Sequence, residues 1–506
     1  MNDINAIINT LSSEDQQRFV VYLEKKNKRS DVKNITLFHL LRKNELRSNE
    51  ICDKLYGAQG KDAYHALRKR LYQSLIDFTA KESLQEEGSV DMQIIKYILA
   101  SKSFLQKKQY KVAYRILNKA EKLAIDHDLF PFLNEIYHNK IQYAYTDTTL
   151  NIDDLILKFR NNQKNILREG ELNIAYAKIR ETLTFIAYKG DVLDFQTILN
   201  NTFKALRIDI GESLSFKSLY QLIAISSITA FITKDYLRIE PFLINTYQSI
   251  IAHKKIGKQQ YYHIQVLYAI ANALFRNKKF TESLQYLELM HTHMNLSKKK
   301  YYNIFKLKYS LLKSLNYNYS CYQKEAIEIL EPLIVKKHQD IEALLDIHLS
   351  LVVFYFQKNN LDKAYSLLSK FYHTNQWYAE KAGKEWVVKK NLIEILLHIE
   401  LQNTNLVESK LLSFKRSHTL YLNSVNQTRV LVYLSLVEVY YKNPERVTTK
   451  KFIDQVRQSF NWLEVHKEDI FVISFYSWLK AKMYNEDLFK VTMQLISKAQ
   501  EDAKSS

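Results

Sequence analysis

The chain has very few of the residues that form tight turns. Its 506 residues include 8 glycines and 4 prolines, whereas these two types together usually make up about 12% of a globular protein. Folds built on hairpins and βα loops need them at their turns, so the scarcity argues against such folds. Disorder is a poor explanation, because 46% of the residues are hydrophobic. The composition therefore predicts an all-α protein whose long helices are joined by short polar loops.

Cysteines, long apolar segments and a secretory signal are also scarce or missing. Cys52 and Cys321 are the only cysteines and lie far apart in sequence, which argues against a disulfide framework and a cysteine-based zinc site. The longest apolar stretch, residues 219–232, contains four polar residues and is too short to span a bilayer. The first residues show no basic segment followed by an apolar run. We therefore expect a cytoplasmic protein that does not insert into a membrane.

The sequence lacks the glycine patterns of common enzyme motifs. Its glycines fit no GxGxxG, P-loop or GxSxG pattern, and no HExxH motif occurs. His291 and His293 are two residues apart, so a helix would point them to different faces. The other histidines have no acidic partners at ligand spacing. We therefore predict a non-enzymatic protein with no catalytic residue, no cofactor and no metal.

Short polar breaks separate apolar helical runs along most of the chain. The nine intervals between successive breaks range from 38 to 45 residues, which is the regularity of a repeat architecture. About ten antiparallel helix pairs, with a period near 42 residues, are therefore predicted for residues 91–505. The breaks are marked by Tyr110, Thr148, Gly190, Asp235, Lys278, Tyr319, Asn359, Asn403, Pro444 and Asp487.

The predicted pairs also share side-chain types. A small residue follows several breaks and a leucine lies four positions later, so that both face the same side of a helix. In three cases an aromatic residue or leucine lies three positions before the small residue, and the pattern then resembles the second helix of a tetratricopeptide repeat. The small residues and leucines are Ala113 and Leu117, Ser283 and Leu287, Ala326 and Leu330, and Ala364 and Leu368, with Tyr110, Phe280 and Leu361 as the preceding residues.

The resemblance extends to the first helices of the pairs. Ser101 and Ala271 occupy the small position of the family there, whereas Val352 departs from it. The family period is about 34 residues, so the helices of this chain must be longer. The resemblance implies a right-handed α-solenoid, similar to tetratricopeptide arrays, that follows a small helical N-terminal domain in residues 1–90.

The N-terminal domain contains four helical runs, and its last two resemble a helix-turn-helix. A short helix around Ile51 is followed by the turn Gly57–Gly60 and by a longer helix over about residues 62–79. An apolar stripe on that longer helix would dock against the other helices, while its outer faces would present cations and hydrogen-bond donors to a groove. The stripe comprises Tyr64, Leu67, Leu71, Leu75 and Phe78, and the outer candidates are Lys61, His65, Arg68, Lys69 and Tyr72.

Two other interpretations of this domain remain open. A plain helical bundle with a solvated basic face would give the same pattern. The turn Gly57-Ala-Gln-Gly60 also resembles the GxxG clamp of KH domains, which implies RNA binding, but KH folds need flanking strands and both flanks are helical in pattern. Net charge does not favour the domain as a nucleic-acid site, because residues 1–100 hold 16 basic and 14 acidic residues.

Positive charge is concentrated in the middle of the chain, whose formal net charge is +19. Residues 201–300 hold 14 basic and 6 acidic residues, and lysines here and just beyond cluster where one predicted pair ends and the next begins. Equivalent loops of a solenoid stack along one edge, so the clusters predict a positive ridge that contacts a phosphate backbone or an acidic partner. A lysine-rich chain that places lysine in most loops would give the same pattern. The ridge residues are Lys254, Lys255, Lys258, Lys298, Lys299, Lys300, Lys336, Lys337, Lys381 and Lys384.

One aromatic pattern occurs twice near these lysines. YYHIQVL at residues 261–267 and YYNIFKL at residues 301–307 share Tyr, Tyr, Ile and Leu at the same offsets. We interpret Tyr301, Tyr302, Ile304 and Leu307 as repeat positions at the start of a first helix, where they pack on neighbouring helices.

These patterns favour a scaffold or adaptor that binds a protein or peptide partner through the concave face or the basic edge of its repeats. The alternative is a nucleic-acid-associated regulator, in which the N-terminal helix or the lysine ridge contacts DNA or RNA. The layout, a small helical unit before tetratricopeptide-like repeats, resembles the peptide-sensing regulators of bacteria. Some of those have helix-turn-helix heads and others have helical bundles that contact response regulators. The resemblance implies that the repeats sense a ligand or partner.

Overall fold

Every regular element in the described part of the chain is a helix. The computed structural model describes residues 4–5, 7–8, 11, 13–26, 33–43, 46–57, 60–85, 90–146, 150–189, 201, 204, 216–233, 236–251, 259–299, 301–335, 338, 340–425, 427–459 and 468–505. No strand occurs in these ranges, and none of their helices combines the length and the apolar character needed to cross a bilayer. The prediction of an all-α protein is confirmed.

The chain divides into two compact units, residues 1–125 with 129–162, and residues 126–128 with 163–506. The helices of the first unit are α1 (Ser13–Lys26), α2 (Lys33–Lys43), α3 (Ser48–Tyr56), α4 (Lys61–Gln85), α5 (Val90–Gln106), α6 (Tyr110–Asp126) and α7 (Phe130–Gln142). Helix α8 (Ile152–Lys189) begins in the first unit and ends in the second.

The second unit contains the remaining helices, which pack largely against their neighbours in sequence. They are α9 (Phe216–Thr233), α10 (Tyr236–Ile251), α11 (Gln260–Arg276), α12 (Phe280–Lys299), α13 (Tyr302–Asn318), α14 (Gln323–Leu330), α15 (Ile341–Gln357), α16 (Leu361–Leu368), α17 (Asn375–Ala382), α18 (Lys384–Glu400), α19 (Thr404–Ser424), α20 (Thr428–Lys442), α21 (Lys450–Ser459), α22 (Ile470–Tyr484) and α23 (Leu488–Ser505).

Helices α1 to α4 enclose a core of their own. The apolar stripe predicted for α4 is confirmed, since all five of its residues are buried. Phe19 of α1 meets Phe38 of α2 and Phe78 of α4 edge to face, with ring centroids 5.0 and 5.2 Å apart. Helices α5, α6 and α7 form a separate core that includes Leu117 and Ile136.

Paired helices approach each other at the small residues that the sequence repeats. The four small residues predicted for second helices are fully buried. Ser283 Oγ of α12 donates to the carbonyl oxygen of Ala271 in α11 over 2.8 Å, and Ser314 Oγ of α13 donates to that of Ala326 in α14 over 2.6 Å. The partners are 12 residues apart in both pairs. Val352, where the sequence departs from the pattern, is also fully buried.

Residues with a left-handed backbone conformation lie in the turns between several paired helices. After each such residue the next backbone N–H reaches a carbonyl of the preceding helix, as Asn360 does with Tyr355 over 2.8 Å. A side chain at such a position costs roughly 1 kcal/mol relative to glycine, and this is how the helices end in a chain with so few glycines. The residues concerned include Lys108, Lys278, Cys321, Asn359 and Gln402.

Most of the predicted breaks fall within the described ranges. Thr148, Gly190 and Asp235 lie outside those ranges. The other seven markers all lie in or next to a turn between consecutive helices. The described part of the chain therefore has its helices in neighbouring pairs that follow the sequence period.

The two aromatic copies are not equivalent in the structure. Leu267 and Leu307 are both buried, but Ile264 is fully buried whereas Ile304 is 54% exposed. The equivalent positions of α11 and α13 are instead the small residues Ala271 and Ser314, at which each helix meets its partner. The separation of these two residues along the sequence is three residues longer than the separation of the two aromatic copies. The interpretation of Ile304 as a packed repeat position is therefore wrong, because helix packing and not the local motif sets the register.

Charged residues far apart in sequence connect the end of α11 to the segment before α22 in the second unit. Arg276 at the end of α11 forms an ion pair with Asp469, the residue before α22. Buried Lys278 Nζ donates to the carbonyl oxygen of Glu468 over 2.7 Å, although 190 residues separate them, and the Glu468 carboxylate pairs with Arg429. Burial lowers the pKa of Lys278 to about 8. We call these five residues the clasp.

Helix α22 also contacts the ends of two further first helices. The hydroxyl groups of Ser474 and Tyr319, which follows α13, lie 3.0 Å apart. Trp478 Nε1 donates to Glu400 at the end of α18 over 2.6 Å, and Lys482 Nζ donates to the same carboxylate over 2.9 Å. The helix therefore lies across the ends of helices that come from separate pairs.

The substitution Asp469→Asn tests the clasp. In the wild type, the Phe471 N–H donates to Asp469 Oδ1 over 2.9 Å, and an asparagine oxygen can accept the same hydrogen bond. The variant removes the negative charge that pairs with the buried guanidinium of Arg276. We expect the free energy of unfolding to fall by about 2 to 4 kcal/mol. Chemical denaturation followed by tryptophan fluorescence measures this, because all four tryptophans lie in the second unit.

The substitution Glu328→Gln is the matched control. Glu328 forms an exposed pair with Lys324, whose ammonium lies 3.9 Å from the carboxylate, and its loss should change the free energy of unfolding by less than about 0.5 kcal/mol. Equal effects of the two substitutions would contradict a stabilising role for the clasp.

Candidate functional site

Two adjoining cavities of the second unit lie between first helices of successive pairs and α22. The polar chamber, of about 220 Å³, is lined by α11, α13, α15 and α18, with charged side chains among its lining. The apolar chamber, of about 310 Å³, is lined by α18, α19, α20 and α22. Glu385, Lys389 and Phe471 line both, so the two chambers share a wall.

Two carboxylates line the polar chamber without an ion-pair partner. Glu342 and Asp346 lie one turn apart on α15, the first exposed and the second half-buried. Within the described part of the chain neither forms an ion pair. Burial, with a smaller contribution from Glu342, raises the pKa of Asp346 to about 6. A negative charge on Asp346 at neutral pH is therefore unfavourable, and a bound cation would lower its cost.

The cations of the polar chamber already have other partners. Arg276 pairs with Asp469 in the clasp. Lys389 Nζ lies 3.2 Å from Glu385 Oε1 and 4.8 Å from the centroid of the Phe471 ring. The uncompensated charge of the polar chamber is therefore negative, although the protein as a whole is strongly basic.

Two buried N–H groups of the polar chamber have no acceptor. They are Nε of Arg276 and Nε1 of Trp386, which find no hydrogen-bond partner among the described residues. The Trp386 N–H lies close enough to Asp346 to favour the carboxylate, but not in hydrogen-bonding geometry. A buried donor without an acceptor costs about 1 to 3 kcal/mol.

The apolar chamber has a buried floor and an exposed rim. Val388, Leu392 and Leu422 are buried, whereas Val472 on α22 is 38% exposed. Phe475 also lines the chamber, and its carbonyl oxygen accepts from the Tyr433 hydroxyl of α20 over 2.9 Å. The chamber therefore offers an accessible apolar surface on a firmly packed support.

One outer candidate on α4 is engaged within its own domain. Arg68 Nη1 donates to Ser48 Oγ at the start of α3 over 3.2 Å, and its guanidinium lies 5.8 Å from the centroid of the Tyr64 ring. Arg68 thus joins the two helices of the helix-turn-helix. The other four candidates are exposed, namely Lys61, His65, Lys69 and Tyr72.

The backbone conformation explains why both ends of the turn between α3 and α4 are glycine. Gly57 has a φ of 72°, and a Cβ on Gly60 would lie 2.1 Å from the Cβ of Tyr56. The helical turn therefore explains the GxxG pattern, and both of its flanks are helices where a KH fold would need strands.

The described ridge residues are exposed at helix ends. Lys299 ends α12 with a φ of 62°, and Lys381 lies in the last turn of α17. Lys384 begins α18, and its Nζ lies 5.2 Å from the centroid of the Tyr421 ring. A continuous ridge stays a prediction. Lys254, Lys255, Lys258, Lys300, Lys336, Lys337 and the side chain of Lys298 lie outside the described part of the chain.

The neighbouring histidines point to different partners. The His293 ring lies 4.2 Å from that of His263, whereas the His291 ring stacks on Tyr309 at 5.2 Å between centroids. Burial lowers the pKa of His263 to about 4. Within the described residues no three His, Cys, Asp or Glu side chains converge where a metal ion would bind.

Sequence reasoning missed the residues of both chambers. One signal was present, because Asp346 is the only acidic or basic residue besides His348 among residues 343–356, a largely apolar helical run. A charge in such a run points to a buried site or a partner. No signal marked Phe471, which reaches the chambers only because the clasp brings α22 to α11.

No protein-family model matches the sequence, and no curated protein matches it significantly.

The substitution Asp346→Asn tests whether this carboxylate costs stability. Its pKa of about 6 lies above that of an unfolded aspartate, about 3.9. The wild type therefore loses stability as the pH rises from about 4 to 6, because the unfolded chain releases this proton first. We expect the asparagine variant to be more stable, with a gain that grows over that range and levels off near 3 kcal/mol above it.

Denaturation curves of the two proteins at pH 4.5, 6 and 7.5 measure the gain. The groups that face Asp346 are Glu342 on its own helix, Lys389 and Trp386 on α18, and Arg276 on α11. Both proteins contain all four groups, so at each pH the two proteins differ only at residue 346. Glu328→Gln on the exposed surface is the control. A loss of stability on Asp346→Asn at pH 7.5 would show that the carboxylate is structural.

Proposed function

We propose that the protein is a non-enzymatic adaptor that binds a peptide segment of a partner in the two chambers of its second unit. The proposal includes a tetratricopeptide-like, right-handed array of about ten helix pairs in a cytoplasmic protein. Support for the family comes from the buried small residues 12 positions apart, at which paired helices meet.

One observation carries the functional proposal. Two cavities with a shared wall lie where helices of successive pairs face α22. The first includes two carboxylates that form no ion pair among the described residues, and the second is lined mainly by apolar side chains, with Glu385, Lys389, Gln427 and Asp469 among them. Sites that bind a ligand are typically concave and mostly apolar, with a few polar groups that fix its orientation. A peptide supplies both kinds of group, since its backbone is polar and its side chains vary.

A nucleic-acid-associated role for the N-terminal domain is the alternative proposal. It is favoured by a helix-turn-helix shape, with α3, a turn and α4 in sequence, and by exposed cations on the outer face of α4. Arg68 weakens it, because this residue is already held by Ser48. Lys61 and Lys69 are the exposed cations that would contact phosphate groups.

Val472→Trp tests binding in the chambers. The larger side chain would fill the apolar chamber from its exposed rim, where a bulky residue should be tolerated in folding. The intact wild-type protein is used to select binders from a random peptide library, and their affinities are measured by fluorescence anisotropy. We expect the variant to bind the selected peptides at least about tenfold more weakly.

Leu412→Trp is the matched control, because Leu412 is 71% exposed on α19 and does not line either chamber. We expect its affinities to equal those of the wild type. Unchanged binding by Val472→Trp would overturn binding in the chambers, and the absence of any selected peptide would overturn the peptide proposal itself.

The double substitution Lys61→Ala and Lys69→Ala tests the alternative. If α4 contacts phosphates, each lost contact should reduce the slope of log affinity for a random DNA duplex against log salt concentration by about 1. Lys324→Ala, which removes an exposed lysine of α14, is the control. Binding that is insensitive to salt, or equal slopes in all three proteins, would exclude α4 as a nucleic-acid surface.

A further inference from the structure

The strongest unexplained feature of the polar chamber is its negative charge. Arg276 and Lys389 are paired with Asp469 and Glu385, so that Glu342 and Asp346 form no ion pair among the described residues. Glu342 is exposed, and Asp346 lies one turn further along α15 and is half-buried. The two carboxylates therefore follow the path of a long side chain that enters from the surface.

We propose that the chambers recognise a basic peptide segment. A lysine or arginine side chain enters the polar chamber and contacts Glu342 and Asp346, and an apolar side chain one or two residues away fills the apolar chamber. This inference rests on the proposed peptide-binding function and names the class of peptide.

The aromatic lining of the polar chamber suits a lysine or arginine better than a small cation. Tyr268, Phe275 and Trp386 line it together with the carboxylates. Lysine and arginine pack their aliphatic stems on apolar surface, and their charged groups interact favourably with aromatic rings. A small hydrated cation would gain neither contact.

The shared wall sets the spacing of the two side chains. Lys389 and Phe471 stand between the chambers, with the ammonium 4.8 Å from the ring centroid. Because the two cavities have these residues in common, we expect side chains that occupy both to come from nearby positions. In an extended peptide, residues i and i+2 point to the same side.

The test compares the intact wild type with the double variant Glu342→Gln and Asp346→Asn. Selection from a random peptide library by the wild type should enrich lysine or arginine with a large apolar residue one or two positions away. The best peptide and its Lys→Gln version (Arg→Gln if arginine is selected) are then labelled for fluorescence anisotropy. We expect the wild type to bind the basic peptide at least about tenfold more tightly than the glutamine peptide, and the double variant to lose this preference.

The control removes two carboxylates from elsewhere on the same unit. Glu325→Gln with Glu328→Gln changes two exposed residues of α14 and should leave the preference intact. Thermal denaturation of every variant confirms folding. A double variant that is folded and yet keeps the preference for the basic peptide would overturn the inference.

The outcomes separate this inference from the proposal on which it rests. Selected peptides without basic residues, whose binding is still weakened by Val472→Trp, would leave the peptide-binding function standing and overturn the basic specificity. No selected peptide at all would overturn both.

Discussion

The buried ion pair between Arg276 and Asp469 connects parts of the second unit that lie far apart in sequence. It joins the end of α11 to the start of α22, and Lys278 and Glu468 make a second connection beside it across 190 residues of sequence. Both charges are largely buried, and the attraction between them offsets the free-energy cost of removing each from water. Because Arg276 also lines the polar chamber, the contact that joins α11 to α22 is also part of the candidate site.

The clasp also explains why the site has two chambers. Phe471, two residues after Asp469, forms a wall of both cavities. Without α22 in this place, the first helices would present an open surface on which charges are solvated by water. Enclosure lowers the local polarity, and this raises both the pKa of Asp346 and the strength of its attraction to a bound cation. The unfavourable carboxylate is thus a property of the helices packed around it and not of α15 alone.

Net charge and local charge point in opposite directions in this protein. The chain carries +19, yet the polar chamber holds two carboxylates that form no ion pair in the described part of the chain. Summed charge governs long-range attraction, whereas contact between a ligand and a half-buried carboxylate depends on the few groups within several ångströms. The lysine clusters dominate the charge along the sequence, and a single aspartate such as Asp346, in a largely apolar run, changes that sum very little.

The sequence by itself determined the helices, their pairing and the faces they bury. Scarce glycine, regular polar breaks and small residues at fixed spacing act through contacts between sequence neighbours, and so Ala113, Ser283 and the α4 stripe lie where the patterns place them. Only the tertiary structure decided the register at Ile304, the engagement of Arg68 by Ser48, and the site itself. Those depend on which residues distant in sequence come into contact, because packing and desolvation act through distances in space that no local pattern contains.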